Sequence, residues 1–477
     1  MDSDSIINRL HILNAVLEYD RGRPVRYHMP GHKGGAGIPE NLWNTLIRAD
    51  VTEIPGMDNL YRPQDFIARA LERCSEIFGT VQTFFSVNGS TAGIHAAMEA
   101  IAGDRKEIIM SRDCHKAVYN QVILGGYTPY YVPVGFDPKT LTPSLATPSD
   151  IADAMDKTGC KTVIITGVNY YGMVADIQGI AREVHKRSGI LIVDEAHGAH
   201  FKFSKSLPDS AIDCGADIVI QSAHKTLPVI NQGAYIHVAS HRADPEKINT
   251  ALSMIQTSSP SYIIMGLLEY AALYLHTYGD VLYNKLCKDI DALAASVSGE
   301  NDIHIKSDIC IHAVDKDKTR ILLDAYRAGF TGYRLENRLR QEHNIAVEAV
   351  DLYNCTLIAA ACDPAWYFDR LYEALKNGAI ADTKSEPKAY GILSIPDTVL
   401  LPCEAVRKES KNKKPDEAIG SVARRALIPY PPGIPLIVPG ERITKEAVEY
   451  IKAVINEGGF IEGIEEEDGN IYINVVK

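Results

Sequence analysis

The sequence lacks a hydrophobic run long enough to cross a membrane. Its longest apolar stretch, residues 263–275, is interrupted by Glu269, whereas a membrane-spanning helix needs about 18 or more apolar residues. The first ten residues, MDSDSIINRL, are polar and acidic and lack the apolar segment of a signal peptide. We therefore expect a protein that neither binds a membrane nor is secreted.

Cysteine pairs with metal-binding spacing are also absent. No two of the nine cysteines have the C-x-x-C spacing. A structural zinc site or a dense disulfide framework is therefore not expected, and a reducing compartment fits best. We expect a cytoplasmic protein without a structural metal.

Basic residues are the minority among the charged ones, with 49 Lys and Arg against 61 Asp and Glu and a net charge of −12. A nucleic-acid-binding protein would need a basic face, so no nucleic-acid partner is expected. The 35 glycines and 24 prolines follow no fixed period, which excludes collagen-like and repeat proteins. With 46% hydrophobic residues, the chain can form two or three packed domains.

Short apolar runs alternate with helical stretches between about residues 80 and 240. Seven of these runs are predicted strands: TFFSV from Thr83, EIIMS from Glu107, PYYVPV from Pro129, TVIITGV from Thr162, ILIVDE from Ile190, DIVIQS from Asp217 and AYIHV from Ala234. This alternation predicts an α/β fold with a mostly parallel sheet that is covered by helices on both faces. The connection before the last run has no helical pattern, so the seventh strand is predicted to be antiparallel.

Three regions are expected along the chain. Residues 1–50 predict an N-terminal arm. It begins with a helix, because Ile6 and Leu10 recur at helical spacing, and a Gly-rich turn follows. Residues 51–295 predict the large domain, whose last part, from about residue 260, is helical. Residues 296–477 predict a smaller C-terminal α+β domain, because the elements become shorter there. Within it, the basic stretch 407–415 predicts a solvated loop.

The strongest chemical signal is DIVIQSAHK, which ends at Lys225. A predicted strand delivers this lysine to its carboxyl end, the edge at which open α/β sheets bind ligands. A lysine placed there can form a Schiff base if its pKa is lowered, but the motif taken alone is better explained as a surface lysine that follows a strand.

Asp194 ends an earlier predicted strand, in ILIVDEAHG, so a carboxylate and a lysine face one crevice. Pyridoxal phosphate needs this pair, because its aldehyde condenses with the lysine and the carboxylate keeps the ring nitrogen protonated. A metal held by Asp194 and Glu195 is the alternative, and it would need further oxygen ligands.

Two further segments are compatible with such a cofactor. In VNGSTAGIHAAMEAI a strand ends and Ser90 and Thr91 begin a helix, whose free N-terminal N–H groups bind phosphate well. His115 follows another strand end, where its flat ring can stack on a pyridine ring. Each segment alone is also explained as ordinary structure, the first as a capped helix and the second as a structural histidine.

The combined motifs resemble the bacterial ornithine/lysine/arginine decarboxylase family, which are pyridoxal-phosphate enzymes of the aspartate aminotransferase fold type (fold type I). The matching segments are HMPGHKGG from His28, DVTEIPGMDNL from Asp50, NGSTAGIHA from Asn88, RDCHKAVYN from Arg112, VDEAHGAH from Val193, QSAHKTLP from Gln221, QTSSPSY from Gln256 and PYPPGIPLIVPGE from Pro429. They extend from the first loop to the C-terminal region. The resemblance implies that residues 51–295 form the domain that binds the cofactor.

The resemblance also implies roles for individual residues. Lys225, Asp194, His224 and His115 are the implied catalytic residues: Lys225 carries the cofactor, Asp194 pairs with the ring nitrogen and His115 stacks on the ring. The implied cofactor-binding residues are Ser90, Thr91, Ala92, His115, Asp194, His197, Ser222, His224, Lys225, Thr257 and Ser258. Glu441 is the candidate for the distal cation of the substrate, and a surface carboxylate is the equally open alternative.

The implied reaction is decarboxylation of a basic amino acid in polyamine synthesis, with arginine favoured over lysine and ornithine. Thr257 and Ser258 are expected to reach the cofactor phosphate of a neighbouring subunit, which implies a homodimer with shared active sites. The chain is similar to the short form of the family, so the large ring assemblies of the long form are not expected. The alternatives to a decarboxylase are an aminotransferase or a lyase of the same fold, and a cofactor-binding regulator without activity.

Overall fold

The computed structural model describes residues 10–103, 105–297, 303–376, 395–430 and 433–477. Its largest sheet has seven strands. In spatial order they are Gln82–Ser86, Ala234–Val238, Ile218–Gln221, Ile190–Asp194, Thr162–Thr166, Glu107–Ser111 and Thr128–Val132. All seven predicted strands are therefore confirmed.

The direction of the strands also matches the prediction. Ala234–Val238 pairs antiparallel with both of its neighbours, and the remaining pairs in this sheet are parallel. The connection into this strand holds a helix of one turn, Ala223–Thr226, where the sequence indicated none. One turn is too short for a parallel crossover, so the chain reverses. This turn carries Lys225.

The strands of this sheet are apolar along almost their whole length because both faces are buried. The side chains of Leu191 and Val193 belong to one apolar core, and that of Ile192 belongs to a second core on the opposite face of the sheet. Helices Gly89–Ile101, Lys116–Gly125 and Pro245–Ile255 cover the face of Ile192. Helices Phe66–Phe78, Pro148–Thr158, Ile177–Lys186 and Tyr262–Val297 cover the other face.

The C-terminal part combines antiparallel sheets with helices, as predicted. A four-stranded sheet has the order His304–Ile305, Arg320–Asp324, Asn354–Ile358 and Ala349–Val350. A three-stranded sheet has the order Ser410–Lys413, Asn470–Val476 and Ile464–Glu467. Ile428–Tyr430 pairs with Phe460–Glu462. The helices are Gly332–His343, Trp366–Lys376, Pro402–Ala405, Pro415–Ala418 and Lys445–Asn456.

The structure differs from the prediction in the stretch 407–415 and describes only part of the predicted leading helix. The predicted loop 407–415 contains the edge strand Ser410–Lys413, whose central side chains are exposed. Exposure of both faces at a sheet edge explains why it has no apolar pattern. The predicted leading helix is observed as His11–Arg21, while Ile6 lies outside the described residues.

The remaining short elements connect the N-terminal, central and C-terminal regions. Strand Val25–Tyr27 pairs with Ile345–Val347, and Met173–Ala175 pairs with Ala313–Lys316. The remaining described elements are the helix Glu40–Leu46, the 3-10 turns Lys33–Gly35, Ile47–Ala49 and Phe201–Phe203, and the strand pair Phe136–Asp137 with Thr142–Pro143. The region boundaries at residues 50 and 295 stay predictions. Every helix in the described part of the chain is too short or too polar to traverse a lipid bilayer.

Candidate active site

A cavity of about 400 Å³ lies at the carboxyl edge of the central sheet, where several parallel strands end. Ligands bind at this edge in open α/β sheets. Many of the predicted site residues line this cavity: Ser90, Thr91, His115, Asp194, His197, Ser222, His224 and Lys225. The structure therefore brings together side chains that are spread over more than a hundred positions of the chain.

Lys225 reaches the cavity from the one-turn helix after the strand Ile218–Gln221. Its Nζ lies 2.9 Å from Nε2 of His197. Although part of the side chain faces the cavity, burial of the amine lowers the pKa of Lys225 to about 8, and the Asp194 carboxylate acts in the opposite direction. A larger fraction of this amine is thus unprotonated near neutral pH than in an exposed lysine.

Asp194 occupies the end of the neighbouring strand, where it pairs in register with Ile220. Its Oδ1 accepts a hydrogen bond of 3.0 Å from the Ala196 N–H. Burial raises the pKa of the Asp194 carboxyl, while Lys225 and the Ala196 N–H lower it. A cationic ring N–H beside this carboxylate would offset the cost of its burial.

The helix Gly89–Ile101 begins at the cavity with N–H groups that no side chain caps. Asn88 precedes it, but its Oδ1 accepts from the Thr257 N–H instead. Gly89 has φ of +75°, and the Ser222 hydroxyl donates to Ser90 Oγ at 2.7 Å. Free N–H groups and clustered hydroxyls at a helix N-terminus form an anion site that suits a phosphate. Ala92 is buried in the first turn of the same helix.

Both predicted catalytic histidines, His115 and His224, are neutral. Burial lowers the pKa of His115 to about 3, and nearby Lys225 and Lys116 contribute. Burial lowers the pKa of His224 to about 4, and its Nδ1–H donates to the Gly233 carbonyl at 3.0 Å. His115 Nδ1 accepts from the Ala117 N–H at the start of helix Lys116–Gly125. Both rings are thus held by the backbone at the cavity wall.

Sequence reasoning missed several lining residues, of which Asp113 is the most unusual. It is buried, and burial raises the pKa of its carboxyl to about 7, with Asp194 adding to the increase. Its signal in the sequence was its position between a strand end and His115. Thr166 is the last residue of the strand Thr162–Thr166, and Asn169 and Tyr170 follow this strand.

Four predicted site residues do not line the cavity, namely Ala92, Thr257, Ser258 and Glu441. Thr257 and Ser258 are exposed, although Thr257 is tied to the cavity residue Asn88 through its N–H. Glu441 is fully buried, and both of its oxygens accept hydrogen bonds of 2.8 Å from Arg112. The structure therefore gives Glu441 an ion pair inside the protein and does not bring it to the other site residues.

The alternative of a metal bound at Asp194 and Glu195 finds no support in the described residues, which contain no cluster of three or more ligating side chains. Glu195 instead accepts hydrogen bonds from the Ser210 hydroxyl, the Ala211 N–H and the Gln221 amide.

The donor set fits pyridoxal phosphate. The uncapped helix start offers an anion site, Asp194 offers a buried carboxylate for the ring nitrogen, and Lys225 offers an amine with a lowered pKa. A mostly parallel seven-stranded sheet with this site at its carboxyl edge defines the class of fold type I enzymes.

Comparison with known proteins narrows this class to one family. Residues 11–320 match the model of the Orn/Lys/Arg decarboxylase major domain, and residues 390–477 match that of the Orn/Lys/Arg decarboxylase C-terminal domain. The chain belongs to the Orn/Lys/Arg decarboxylase family, and it is a decarboxylase.

Individual relatives agree with this assignment. An arginine decarboxylase of Bacillus subtilis (strain 168) is 30% identical over 470 residues, which cover 95% of each chain. The uncharacterized protein YaaO of the same organism is 31% identical over 485 residues, covering 98% of this chain and 99% of YaaO. The crystal structure of the Francisella novicida lysine decarboxylase LdcF superposes with a TM-score of 0.77 at 19% identity, covering 94% of this chain and 78% of that chain, and shows the same fold.

Proposed function

We propose that this protein is a pyridoxal-phosphate-dependent decarboxylase that converts a basic amino acid, with arginine favoured, into the corresponding amine and CO2. The observation that carries the proposal is the meeting of the Lys225 amine, the Asp194 carboxylate and an uncapped helix N-terminus at one cavity. Relatives named arginine decarboxylase, such as the one from Bacillus subtilis, support arginine as the substrate and agmatine as the product.

The side chains at the cavity have distinct proposed roles. Lys225 would bind the cofactor through its amine, and Asp194 would hold the proton on the ring nitrogen. When bound, the cofactor supplies an electron sink for the pair that remains when the bond from Cα to the carboxylate breaks. The neutral ring of His115 is placed to stack on the cofactor. Lys225 and His224 are the candidates for returning a proton to Cα, because both line the cavity.

Phosphate binding is proposed for the start of the helix Gly89–Ile101. Ser90, Thr91 and Ala92 supply its first-turn N–H groups, and Ser222 adds a hydroxyl that is already joined to Ser90. His224 lies on the turn that follows, with its ring oriented by the Gly233 carbonyl. These groups would orient the cofactor, and the cavity wall would position the amino acid.

The proposed function is tested by offering arginine, lysine and ornithine separately to the purified protein and measuring CO2 and amines. We expect equal amounts of CO2 and agmatine from arginine. Keto acid or ammonia without CO2 would instead indicate an aminotransferase or a lyase of the same fold. Cadaverine or putrescine as the main product would overturn the preference for arginine alone.

We further propose a cytoplasmic homodimer that serves polyamine synthesis. Exposure of Thr257 and Ser258 beside the cavity residue Asn88 supports a contact with a second subunit there. All nine cysteines are unpaired, which supports a reducing compartment. Light scattering coupled to size exclusion should give twice the mass of the chain, and a monomer that is fully active would exclude a shared site.

A further inference from the structure

His197 lies between the amine of Lys225 and the guanidinium of Arg320. Its Nε2 is 2.9 Å from Lys225 Nζ, and its Nδ1 is 3.3 Å from Arg320 Nη2. Arg320 is not among the cavity residues and is 1% exposed. It therefore reaches Lys225 through the imidazole of His197.

Arg320 is fixed in its place by several contacts. Its Nη2 also donates to the His197 carbonyl at 3.0 Å, and its Nη1 lies 3.7 Å from Asp317 Oδ2. The same carboxylate oxygen is 3.2 Å from His200 Nε2. Burial alone would raise the pKa of Asp317, but the contacts with His200 and Arg320 outweigh it and hold this pKa at about 2. These contacts hold the guanidinium with its Nη2 toward His197.

These contacts determine which nitrogen of His197 carries the proton. A guanidinium has only donors, so Nδ1 must accept the hydrogen bond from Arg320 and carries no proton. Burial is the main cause that holds the pKa of His197 well below its ordinary value, and the Arg320 guanidinium adds to it, so the ring is neutral. The proton therefore sits on Nε2 and points toward Lys225 Nζ.

An Nε2–H next to Lys225 selects the form of the lysine. An ammonium group has three donors and no acceptor, whereas a neutral amine has a lone pair that can accept the hydrogen bond. The contact of 2.9 Å can thus form only with the unprotonated amine.

We propose that Arg320 is a positioning residue that fixes His197 as the Nε2–H tautomer and thereby holds the free amine of Lys225 in its unprotonated, nucleophilic form. The inference rests on the proposed function, in which this amine attacks a carbonyl carbon and is released again. The other charged groups that face Lys225 are Asp194 and Glu348, which favour its protonation. His115 and His224 also face His197.

The test uses the full-length protein with the cofactor removed and measures the amine itself. Brief reductive methylation with formaldehyde at a series of pH values, followed by mass spectrometry of the peptides, gives the apparent pKa of Lys225 relative to the exposed Lys445. Arg320→Met should raise this pKa by about one unit, which reduces labelling of Lys225 near neutral pH about tenfold. Arg320→Lys, which retains a cation beside Asp317, should restore part of the labelling.

A double-mutant cycle separates the action through His197 from the charge of Arg320 alone. In the His197→Gln background, Arg320→Met should produce no further change in labelling. Additive effects would mean that Arg320 acts only by its charge and would overturn the inference, as would unchanged labelling in Arg320→Met. If Arg320→Met does not fold, the cycle is run with Arg320→Leu, which also lacks the charge and the donors of the guanidinium, and the same outcomes apply.

The inference and the proposed function fail in different ways. Because methylation requires neither cofactor nor substrate, labelling that follows the prediction supports the inference even if the protein releases no CO2. Wild-type protein that decarboxylates arginine, together with additive effects in the cycle, would refute the role of Arg320 and leave the proposed function intact.

Discussion

Replacement of Glu441 by glutamine distinguishes a structural from a substrate-binding role for this residue. Glu441 is 0% exposed, and its two oxygens accept hydrogen bonds from Nη1 and Nη2 of Arg112. The Val438 N–H also donates to it. Glutamine preserves the volume but leaves Arg112 as a buried cation without its counter-charge. The substitution therefore tests the ion pair rather than the packing.

The size of the effect follows from burial. Removing one partner of a buried ion pair costs about 3–5 kcal/mol, because the remaining charge is uncompensated. Glu465 provides a matched control, since it pairs with Arg425 at 2.9 Å with side chains that are 36% and 51% exposed. An exposed pair of this kind contributes less than about 1 kcal/mol.

Thermal unfolding of both variants measures this difference, and decarboxylation kinetics measures the effect on function. We expect Glu441→Gln to lower Tm by about 3–5 °C, because a chain of 477 residues has an unfolding entropy of about 1 kcal/mol per kelvin. We expect little change of Tm for Glu465→Gln, and little change of KM for the amino acid in either variant. A rise in KM of tenfold or more with unchanged Tm would refute this reasoning and would restore Glu441 as the contact for the distal cation.

Three other substitutions, one of them a control, test the packing behind the anion site and the pH dependence of stability. In Gly93→Ala, the new Cβ would lie 2.7 Å from Ile236 Cγ1, so we expect a loss of about 1–3 kcal/mol and weaker cofactor binding by fluorescence titration. Gly266→Ala, whose Cβ meets no atom within 4 Å, should instead stabilise its helix by about 0.5–1 kcal/mol; equal effects at both sites would contradict the packing argument. Burial alone would raise the pKa of Asp58, but hydrogen bonds from four backbone N–H groups hold it below its ordinary value. The carboxylate therefore stabilises the fold above its unfolded-state pKa, and this contribution is lost as the pH falls through the folded-state pKa. Asp58→Asn should accordingly destabilise the protein more at pH 7 than at pH 3 in urea unfolding, and an equal loss at both values would contradict it.

The central sheet was predictable because its strands are buried on both faces. Runs such as Ile190–Val193 are continuous in apolar residues, and the antiparallel last strand followed from a connection too short for a crossover. The small sheets were not predictable in the same way. Val25–Tyr27 pairs with Ile345–Val347 over only three residues, and three residues carry no periodic signal for a partner hundreds of positions away.

The site was predictable where chemistry follows directly on a strand end, as at Asp194 and Lys225. It was not predictable where a role depends on a distant partner. Glu441 stands 329 positions from Arg112, and Arg320 stands 123 positions from His197. Motif position alone suggested a binding role for Glu441, whereas burial beside Arg112 gives it a structural ion pair.

The identity of the lysine that binds the cofactor tests the central claim most directly. The cofactor-loaded protein is reduced with borohydride and digested, and the modified peptide is identified by mass spectrometry. Lys33 and Lys306 serve as internal controls, because both are buried but their amines donate to backbone carbonyls. We predict the adduct on Lys225 alone, and neither an adduct nor CO2 release in Lys225→Ala. An adduct on another lysine, or repeated turnover by Lys225→Ala, would contradict the account.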